Sequence, residues 1–236
     1  MKTQLFAFVV IATLLGLISC GGKTEVKEDA LEEQTEIASE STVGAYVTDA
    51  EGSESYRPDT AKVFYTGSFD ASKSFVVISK LNLQLSVYAD IDGDTVLVAR
   101  YPVCLSRNKG QKEKSGDMKT PESEPGEPFS IKQIQDASDW EHDFGDGRGK
   151  ILSYGHWFMR LETPFSGIGI HGSTNNENSV PGRDSEGCIR MRDNDLIHFH
   201  DNYARVGMPV IIKAEDQGSL PFEDEAQKSE GKVLGS

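Results

Sequence analysis

Two short stretches of the sequence carry the residues best suited to chemistry: residues 169–172 (GIHG) and residues 185–191 (SEGCIRM). A free thiol, with a pKa of about 8.5, is mostly protonated at neutral pH, so a nucleophilic cysteine needs a nearby base or cation. A histidine that ends one strand and a cysteine that follows a loop can supply such a pair. Residues 172–187 are rich in Gly, Asn and Ser, which predicts a loop. We predict that Cys188 is a nucleophile and His171 its base.

The neighbours of Cys188 fit this interpretation. Gly187 permits close backbone approach, and the N–H groups of residues 187 and 188 are candidates for an oxyanion hole. If this segment is extended, Arg190 faces the same side as Cys188. Its charge could then favour the thiolate or hold a substrate carboxylate. Taken alone, Cys188 could equally be a small buried apolar residue and Arg190 half of a surface ion pair.

The two stretches together resemble the active-site signature of the L,D-transpeptidases (the YkuD domain). Residues 119–131 resemble the family's K-T-P-x-G-x-F-x-I segment, with a short insertion. Residues 154–161 are similar to the strand that precedes the His-Gly strand, and residues 206–212 to the closing strand. The resemblance covers residues 73–213.

The resemblance implies a mainly β fold, a sandwich or barrel with one main helix after the catalytic cysteine. It implies that Cys188 attacks the carbonyl joining the third residue of a peptidoglycan tetrapeptide stem to its terminal D-alanine. D-Alanine leaves, and an amine resolves the thioester. It also implies that a backbone carbonyl near Gly172 or Ser173 orients His171. No cofactor or metal is implied.

We predict further substrate contacts near the nucleophile. Arg190 would act through its charge, Ser185 through its hydroxyl, His156 by the resemblance and Trp157 as a groove-lining aromatic residue. Ser185 could instead only shape the turn. Many members of the family have a second histidine where this chain has Glu186. We interpret this difference as a change in substrate contacts, and it also leaves open a wall-binding module without activity.

Two other roles for the cysteines remain open at this stage. Zinc takes His and Cys ligands, so His171, Cys188 and either His142 or His156 could form a site, although no closely spaced pair supports it. His198 and His200 would point to different faces of a helix. Export would also permit a disulfide between Cys104 and Cys188, but we expect Cys104 to be a buried free thiol.

The first residues predict export. Residues 1–19 contain a basic Lys2 and an apolar run at 5–17 that is short for a membrane span. Residues 17–20 (LISC) read as a lipobox, which predicts a lipoprotein signal peptide at 1–19 and a lipid on Cys20. An ordinary cleaved signal or an uncleaved anchor are the alternatives. We expect a protein of the cell envelope that is anchored to a membrane and faces the periplasm.

The net charge of −14 belongs mainly to the ends of the chain. Residues 20–60 carry eleven acidic and three basic residues, and residues 214–236 carry six and two. The intervening part is near neutral, which argues against nucleic acid as a partner. We interpret 20–60 as an acidic flexible tether, 61–213 as the catalytic domain and 214–236 as an acidic tail. We expect a monomer.

Apolar runs and turn signals predict the elements of the core. We expect a strand at 74–79, a hairpin over 83–103 with a turn at Asp92-Gly93, and a long polar loop at 106–128. Further strands are expected at 129–134, 154–161, 167–170 and 206–213. Asp193–Ala204 is the one helix predicted in the core, with Leu196, Ile197, Phe199 and Tyr203 on its apolar face.

The sequence thus predicts a cysteine-dependent L,D-transpeptidase that forms cross-links or attaches an amine acceptor. The nearest alternative uses water as the acceptor and is an L,D-carboxypeptidase. The other alternative is the inactive peptidoglycan-binding module. The expected partners of the protein are peptidoglycan stem peptides and, through the lipid on Cys20, the membrane.

Overall fold

The computed structural model describes residues 60–226 and the backbone of two short strands, Ala45–Thr48 and Glu54–Arg57. The predicted signal peptide (1–19) and Cys20 lie outside the described residues, as do residues 227–236. Within the described residues, no helix is both long and apolar enough to cross a membrane.

The described part of the chain is mainly β, with one main helix, as predicted. Its strands and helices, in chain order, are β1 Ala45–Thr48, β2 Glu54–Arg57, β3 Lys62–Val63, a 3-10 turn Ala71–Lys73, β4 Ser74–Ser79, β5 Gln84–Ile91, β6 Asp94–Pro102, β7 Cys104–Ser106, β8 Phe129–Asp136, β9 Glu141–Asp143, β10 Lys150–Leu152, β11 Trp157–Glu162, β12 Gly169–His171, a 3-10 turn Glu177–Ser179, β13 Gly182–Ser185, β14 Ile189–Arg190, α1 Asp193–Asn202 and β15 Pro209–Lys213. The predicted core strands are present, with ends that shift by a few residues.

An 11-stranded mixed sheet forms the body of the protein, in the order β13-β7-β14-β12-β11-β8-β15-β4-β5-β6-β3. Only Val103 separates β6 from β7, yet the two strands lie near opposite ends of this order. The sheet must therefore curl until its ends meet. Apolar side chains from both halves fill one core, which gives the sandwich-like arrangement that the sequence predicts.

The β5–β6 hairpin confirms the turn predicted at Asp92-Gly93. Both residues have positive φ, 56° and 94°, and Ile91 pairs with Asp94 across the turn. Two successive positive φ angles suit a type I′ turn, whose twist matches that of the flanking strands. Asp-Gly is among the sequences that adopt it most readily.

Helix α1 ends at Asn202, two residues earlier than predicted. Leu196 and Phe199 are buried in the core, and Tyr203 packs there as well. Ile197 was expected on the same face, but it is 38% exposed. One residue rotates a helix by about 100°, so Ile197 cannot share the face that Leu196 and Phe199 occupy.

The long loop at 107–128 is fastened by one buried ammonium group. Lys80 has no exposed surface, and its Nζ donates to the carbonyl oxygens of Gly110 (2.7 Å) and Thr120 (3.3 Å). It also pairs with Glu122 at 2.5 Å and Glu215 at 3.4 Å. The loop is therefore tied at several points to the end of β4.

Two predicted boundaries need correction. The predicted tether contains a hairpin, since β1 and β2 pair antiparallel between residues 45 and 57. The predicted acidic tail is packed up to residue 226: residues 221–226 are helical, and Phe222 contacts two aromatic rings of β4 and β5 at 5.3 and 5.4 Å between centroids. Glu223 forms a buried pair with Lys213 at 2.6 Å. The charge-rich composition of residues 214–236 does not indicate that Phe222 packs against aromatic rings or that Glu223 has a buried partner.

We predict that Lys80→Met lowers the free energy of unfolding by about 3 kcal/mol, because Glu122 and Glu215 lose their buried counter-charge. Urea denaturation measures this change. Lys73→Met is the matched control, since Lys73 is exposed and 3.9 Å from Asp90. A pair of that kind contributes about 0–1 kcal/mol. Equal effects of the two substitutions would contradict the anchoring role of Lys80.

Candidate active site

Two short parallel strands bring the predicted residues together. In the pairing of β12 with β14, Ile170 lies opposite Ile189 and His171 opposite Arg190. Because side chains alternate along a strand, the paired His171 and Arg190 face one side of the sheet. Cys188 directly precedes β14 and reaches the same side, where all three side chains line one pocket.

The pocket has a volume of about 470 Å³, enough for a short peptide segment. Its walls come from the 107–128 loop, the β9–β10 hairpin, the segment between β11 and β12, and the turn that carries the cysteine. The lining residues are Lys112, Ser115, Gly116, Met118, His142, Phe144, Ser153, Tyr154, Pro164, Phe165, Ser166, Gly167, Ile168, His171, Ser185, Glu186, Cys188 and Arg190.

His171 is 5% exposed and is oriented by its neighbour, as predicted. Its Nδ1 lies 2.7 Å from the Gly172 carbonyl oxygen. A carbonyl only accepts, so Nδ1 carries the proton and Nε2 of the neutral ring is free to accept one. The Phe158 ring stacks on the imidazole at 5.6 Å and Tyr154 packs at 4.9 Å. Burial, reinforced by the charge of Arg190, lowers the pKa of His171 to about 3, so the ring is neutral at physiological pH.

Gly172 is required by a close approach of two chain segments. A Cβ at this position would lie 2.7 Å from the Gly155 Cα and would overlap the Asp193 carboxylate. That carboxylate accepts from the Ser173 N–H at 2.7 Å and from the Thr174 hydroxyl. Asp193, the first residue of α1, therefore fastens the chain just after the histidine. The sequence analysis treated Asp193 only as a helix start.

The Cys188 thiol is half-buried and 3.2 Å from the Gly167 carbonyl oxygen, to which it can donate. Burial raises the pKa of Cys188 above its ordinary value, although Arg190 and Arg160 act in the opposite direction. Arg190 does favour the thiolate, but desolvation of the thiol has the larger effect on its pKa, so the expected resting thiolate does not form. Cysteine and histidine both rest in their neutral forms.

Arg190 is 2% exposed, so the surface ion pair considered for it is wrong. Its Nη1 donates to the Ser179 hydroxyl at 2.8 Å and lies 3.8 Å from an Asp184 carboxylate oxygen. Its guanidinium also lies over the Phe144 ring at 5.4 Å. Among the described residues, nothing accepts from its buried Nε. A buried cation on the pocket wall supplies a fixed positive field.

The turn before the nucleophile is shaped by Ser185. Its hydroxyl donates to the Cys188 carbonyl at 2.7 Å and accepts from the Gly187 N–H at 3.2 Å. Ser185 thus lines the pocket but is committed to the turn, and Gly187 does not offer the free oxyanion donor that we predicted. Gly187 has φ of 139°, and a Cβ there would lie 2.9 Å from the Lys119 carbonyl oxygen.

Two of the residues predicted to contact substrate, Trp157 and His156, do not line the pocket that contains Cys188. Trp157 stacks on His200 of α1, with ring centroids 4.1 Å apart and planes at 9°. Neighbouring strand residues face opposite sides, and Phe158 takes the side of His171, so Trp157 faces the helix. His156 is exposed and does not line the pocket.

His142, considered from the sequence only as a possible zinc ligand, lines the pocket and contacts Glu186 there. His142 on β9 lies 3.5 Å from Glu186, measured from Nε2 to Oε2, and 3.4 Å from the Tyr154 hydroxyl. No local spacing signals this contact, because the β9–β10 hairpin creates it.

Cys104 and Cys188 are both free thiols. Within residues 60–226, no three His, Cys, Asp or Glu side chains are grouped as metal ligands, so the alternative zinc site is not assembled.

The neutral resting state predicts the pH dependence of cysteine alkylation. Because burial raises the pKa of Cys188, the rate with iodoacetamide should keep rising through pH 9, as the thiolate fraction grows. Mass spectrometry of the site gives the rate at each pH. A plateau reached below pH 7 would indicate a resting thiolate and would contradict this prediction.

We predict that Gly172→Ala lowers the free energy of unfolding by about 1–3 kcal/mol, because the methyl group would overlap Gly155 and Asp193. Gly218→Ala is the control, since a Cβ there meets nothing within 4 Å. Thermal and urea denaturation of both variants test this. Indistinguishable stabilities would show that the two segments are not in close contact.

The sequence of this chain matches a known protein family. A family model described as the L,D-transpeptidase catalytic domain (YkuD) matches residues 73–212. A comparison with curated protein sequences finds no match.

Solved structures similar to this chain share low identity with it. An L,D-transpeptidase from Mycobacterium smegmatis is 18% identical with a TM-score of 0.43, over 60% of this chain and 59% of that one. Bd1075 of Bdellovibrio bacteriovorus is 19% identical with a TM-score of 0.45, over 70% and 56%. The helical cell shape determining protein Pgp2 of Campylobacter jejuni is 20% identical with a TM-score of 0.45, over 65% and 51%. The chain therefore spans between 51% and 59% of the length of these proteins.

The family match includes β4 to β15, the pocket and both residues of the predicted catalytic pair. It covers more than half of the chain, and the protein therefore belongs to the L,D-transpeptidase catalytic-domain (YkuD) family.

Proposed function

We propose that the protein is a cysteine-dependent L,D-transpeptidase that acts on the tetrapeptide stems of peptidoglycan through a thioester acyl-enzyme. The observation that carries this proposal is the presence of Cys188 and His171 on one open pocket, with the imidazole held neutral and oriented by Gly172. Family membership supplies the substrate class.

In the acylation step, the Cys188 sulfur attacks the carbonyl that joins the third stem residue to D-alanine. The Nε2 of His171 takes the thiol proton as attack proceeds, because both groups are neutral at rest. The Cys188 N–H and the positive field of Arg190 stabilise the charge on the carbonyl oxygen. His171 then gives its proton to the departing amine of D-alanine.

In the second step, an amine attacks the thioester carbonyl, and His171 takes the proton that the amine loses and passes it to the sulfur. The products are an amide, which is a cross-link when the amine belongs to a neighbouring stem, and the free thiol. The reaction is ping-pong, since D-alanine leaves before the acceptor reacts.

We also propose that the protein works in the cell envelope, facing the periplasm, with a lipid on Cys20 that anchors it to the membrane. The apolar run followed by LISC at residues 17–20 supports export and lipidation. A monomer is sufficient for the proposed chemistry, because one chain supplies both Cys188 and His171.

Incubation with purified tetrapeptide muropeptides tests the proposed reaction. We expect the wild type to release D-alanine, to carry a thioester-linked tripeptide and to form dimers, all detected by mass spectrometry. Cys188→Ala should abolish the adduct, and His171→Gln should slow acylation by about 10²–10⁴-fold. His156→Gln is the control and should behave like the wild type, because His156 is exposed and does not line the pocket.

Other outcomes would replace this proposal with the alternatives. Tripeptides without dimers would indicate a carboxypeptidase. A wild-type protein that binds sacculi but forms no adduct, even with a carbapenem, would indicate a binding module.

A further inference from the structure

The mouth of the pocket holds a second pair of polar groups, His142 and Glu186, that the acylation step does not use. Their side chains are 30% and 40% exposed, and their closest atoms are 3.5 Å apart. His142 comes from the β9–β10 hairpin and Glu186 from the turn before Cys188. Both line the same pocket as the nucleophile.

The orientation of His142 is defined by its neighbours. Its Nδ1 lies 3.4 Å from the Tyr154 hydroxyl, and the Phe144 ring packs edge-on at 4.6 Å. Nε2 is therefore the nitrogen directed at Glu186. The Tyr154 ring in turn packs on His171, so the pair is next to the catalytic base.

The charges on the pocket wall make Glu186 distinctive. Among the described residues that line the pocket, Glu186 is the only carboxylate. The other two charged residues on the wall, Lys112 and Arg190, are cations whose charges are partly offset by Asp117 at 2.7 Å and Asp184 at 3.8 Å. An approaching ammonium group would therefore be drawn to the side of the pocket where Glu186 and His142 lie.

The deacylation step requires a group of this kind. A lysine-type side-chain amine has a pKa of about 10.4, so at neutral pH it reaches the enzyme as an ammonium ion without a free electron pair. It must lose a proton before it can attack. His171 cannot serve for this proton as well, because it accepts the proton that amide formation releases and passes it to the sulfur.

We propose that Glu186 and His142 form the acceptor subsite, in which the Glu186 carboxylate binds the ammonium group of the acceptor. His142, in the tautomer whose Nδ1 donates to the Tyr154 hydroxyl, then accepts one of the ammonium protons at Nε2. This inference rests on the proposed function and assigns the acceptor to the class of cationic primary amines. The neutral nitrogen forms the C–N bond as the C–S bond breaks, and its second proton moves through His171 to the sulfur. The His142 imidazolium, paired with Glu186, then releases its proton to solvent.

A purely structural role for the pair would have a different signature. Exposed ion pairs contribute about 0–1 kcal/mol to stability, so neither substitution should unfold the protein. Acylation should also proceed, since the Glu186 charge contributes to raising the pKa of Cys188 and its removal does not weaken the nucleophile. Only the choice of acceptor should change.

The test compares Glu186→Gln and His142→Gln with the wild type, using a tetrapeptide donor and one of two acceptors. Nα-Acetyl-lysine carries a cationic amine, whereas hydroxylamine is uncharged at pH 7. We expect acyl-enzyme formation at the wild-type rate and about 100-fold slower transfer to Nα-acetyl-lysine at pH 7 in both variants. Transfer to hydroxylamine should be unchanged, and raising the pH to 9.5 should restore part of the transfer to the lysine amine.

Glu141→Gln is the matched control, because Glu141 is exposed on the same strand and does not line the pocket. It should transfer to both acceptors like the wild type. An unchanged ratio of the two transfer rates in Glu186→Gln and His142→Gln would overturn the subsite while leaving the acylation chemistry intact. A wild type that forms no acyl-enzyme would overturn the proposed function and this inference together.

Discussion

The arrangement of His171, Cys188 and Arg190 depends on a single parallel contact, the pairing of β12 with β14. In this pairing, the buried Ile170 and Ile189 lie opposite each other. The same register places His171 beside Arg190, and Cys188 directly precedes the strand that carries Arg190. A slip of one residue would turn these side chains to the other face of the sheet. Isoleucines on the core side thus specify the alignment of polar groups on the pocket side.

Burial, more than charge, sets the chemistry of the resting site. The charge of Arg190 lowers the pKa of Cys188, but burial raises it by more, because a buried thiolate loses the hydration that stabilises it. Burial also lowers the pKa of His171 to about 3, so its imidazole is neutral at physiological pH. At rest, the pocket therefore holds a neutral imidazole and a neutral thiol.

Local sequence patterns predicted individual turns, strands and motifs, but they did not predict contacts between distant segments. The Asp92-Gly93 turn and the positions of the predicted core strands follow from alternation and turn chemistry, and the His171–Cys188 pair from its motifs and the family resemblance. The side on which Trp157 lies and the arrival of His142 at the pocket depend on contacts between distant segments, which no spacing encodes. Likewise, hydrogen bonds within the turn decide that Ser185 shapes it.

The carboxylate of Glu215 has a consequence for where the folded unit stops. It accepts from the Gly110 N–H at 3.2 Å and from Arg183 at 3.1 Å, besides pairing with Lys80. Two residues past the final strand, one acid therefore joins the loop that walls the pocket to the strand that leads into the nucleophile turn. A protein shortened to the end of the sheet would keep Cys188 and His171 but would lose these contacts of Glu215 with the loop and with β13. A shortened protein that keeps the contacts of Glu215 must extend past the final strand, and one that also keeps those of Phe222 and Glu223 must include the helical segment at 221–226.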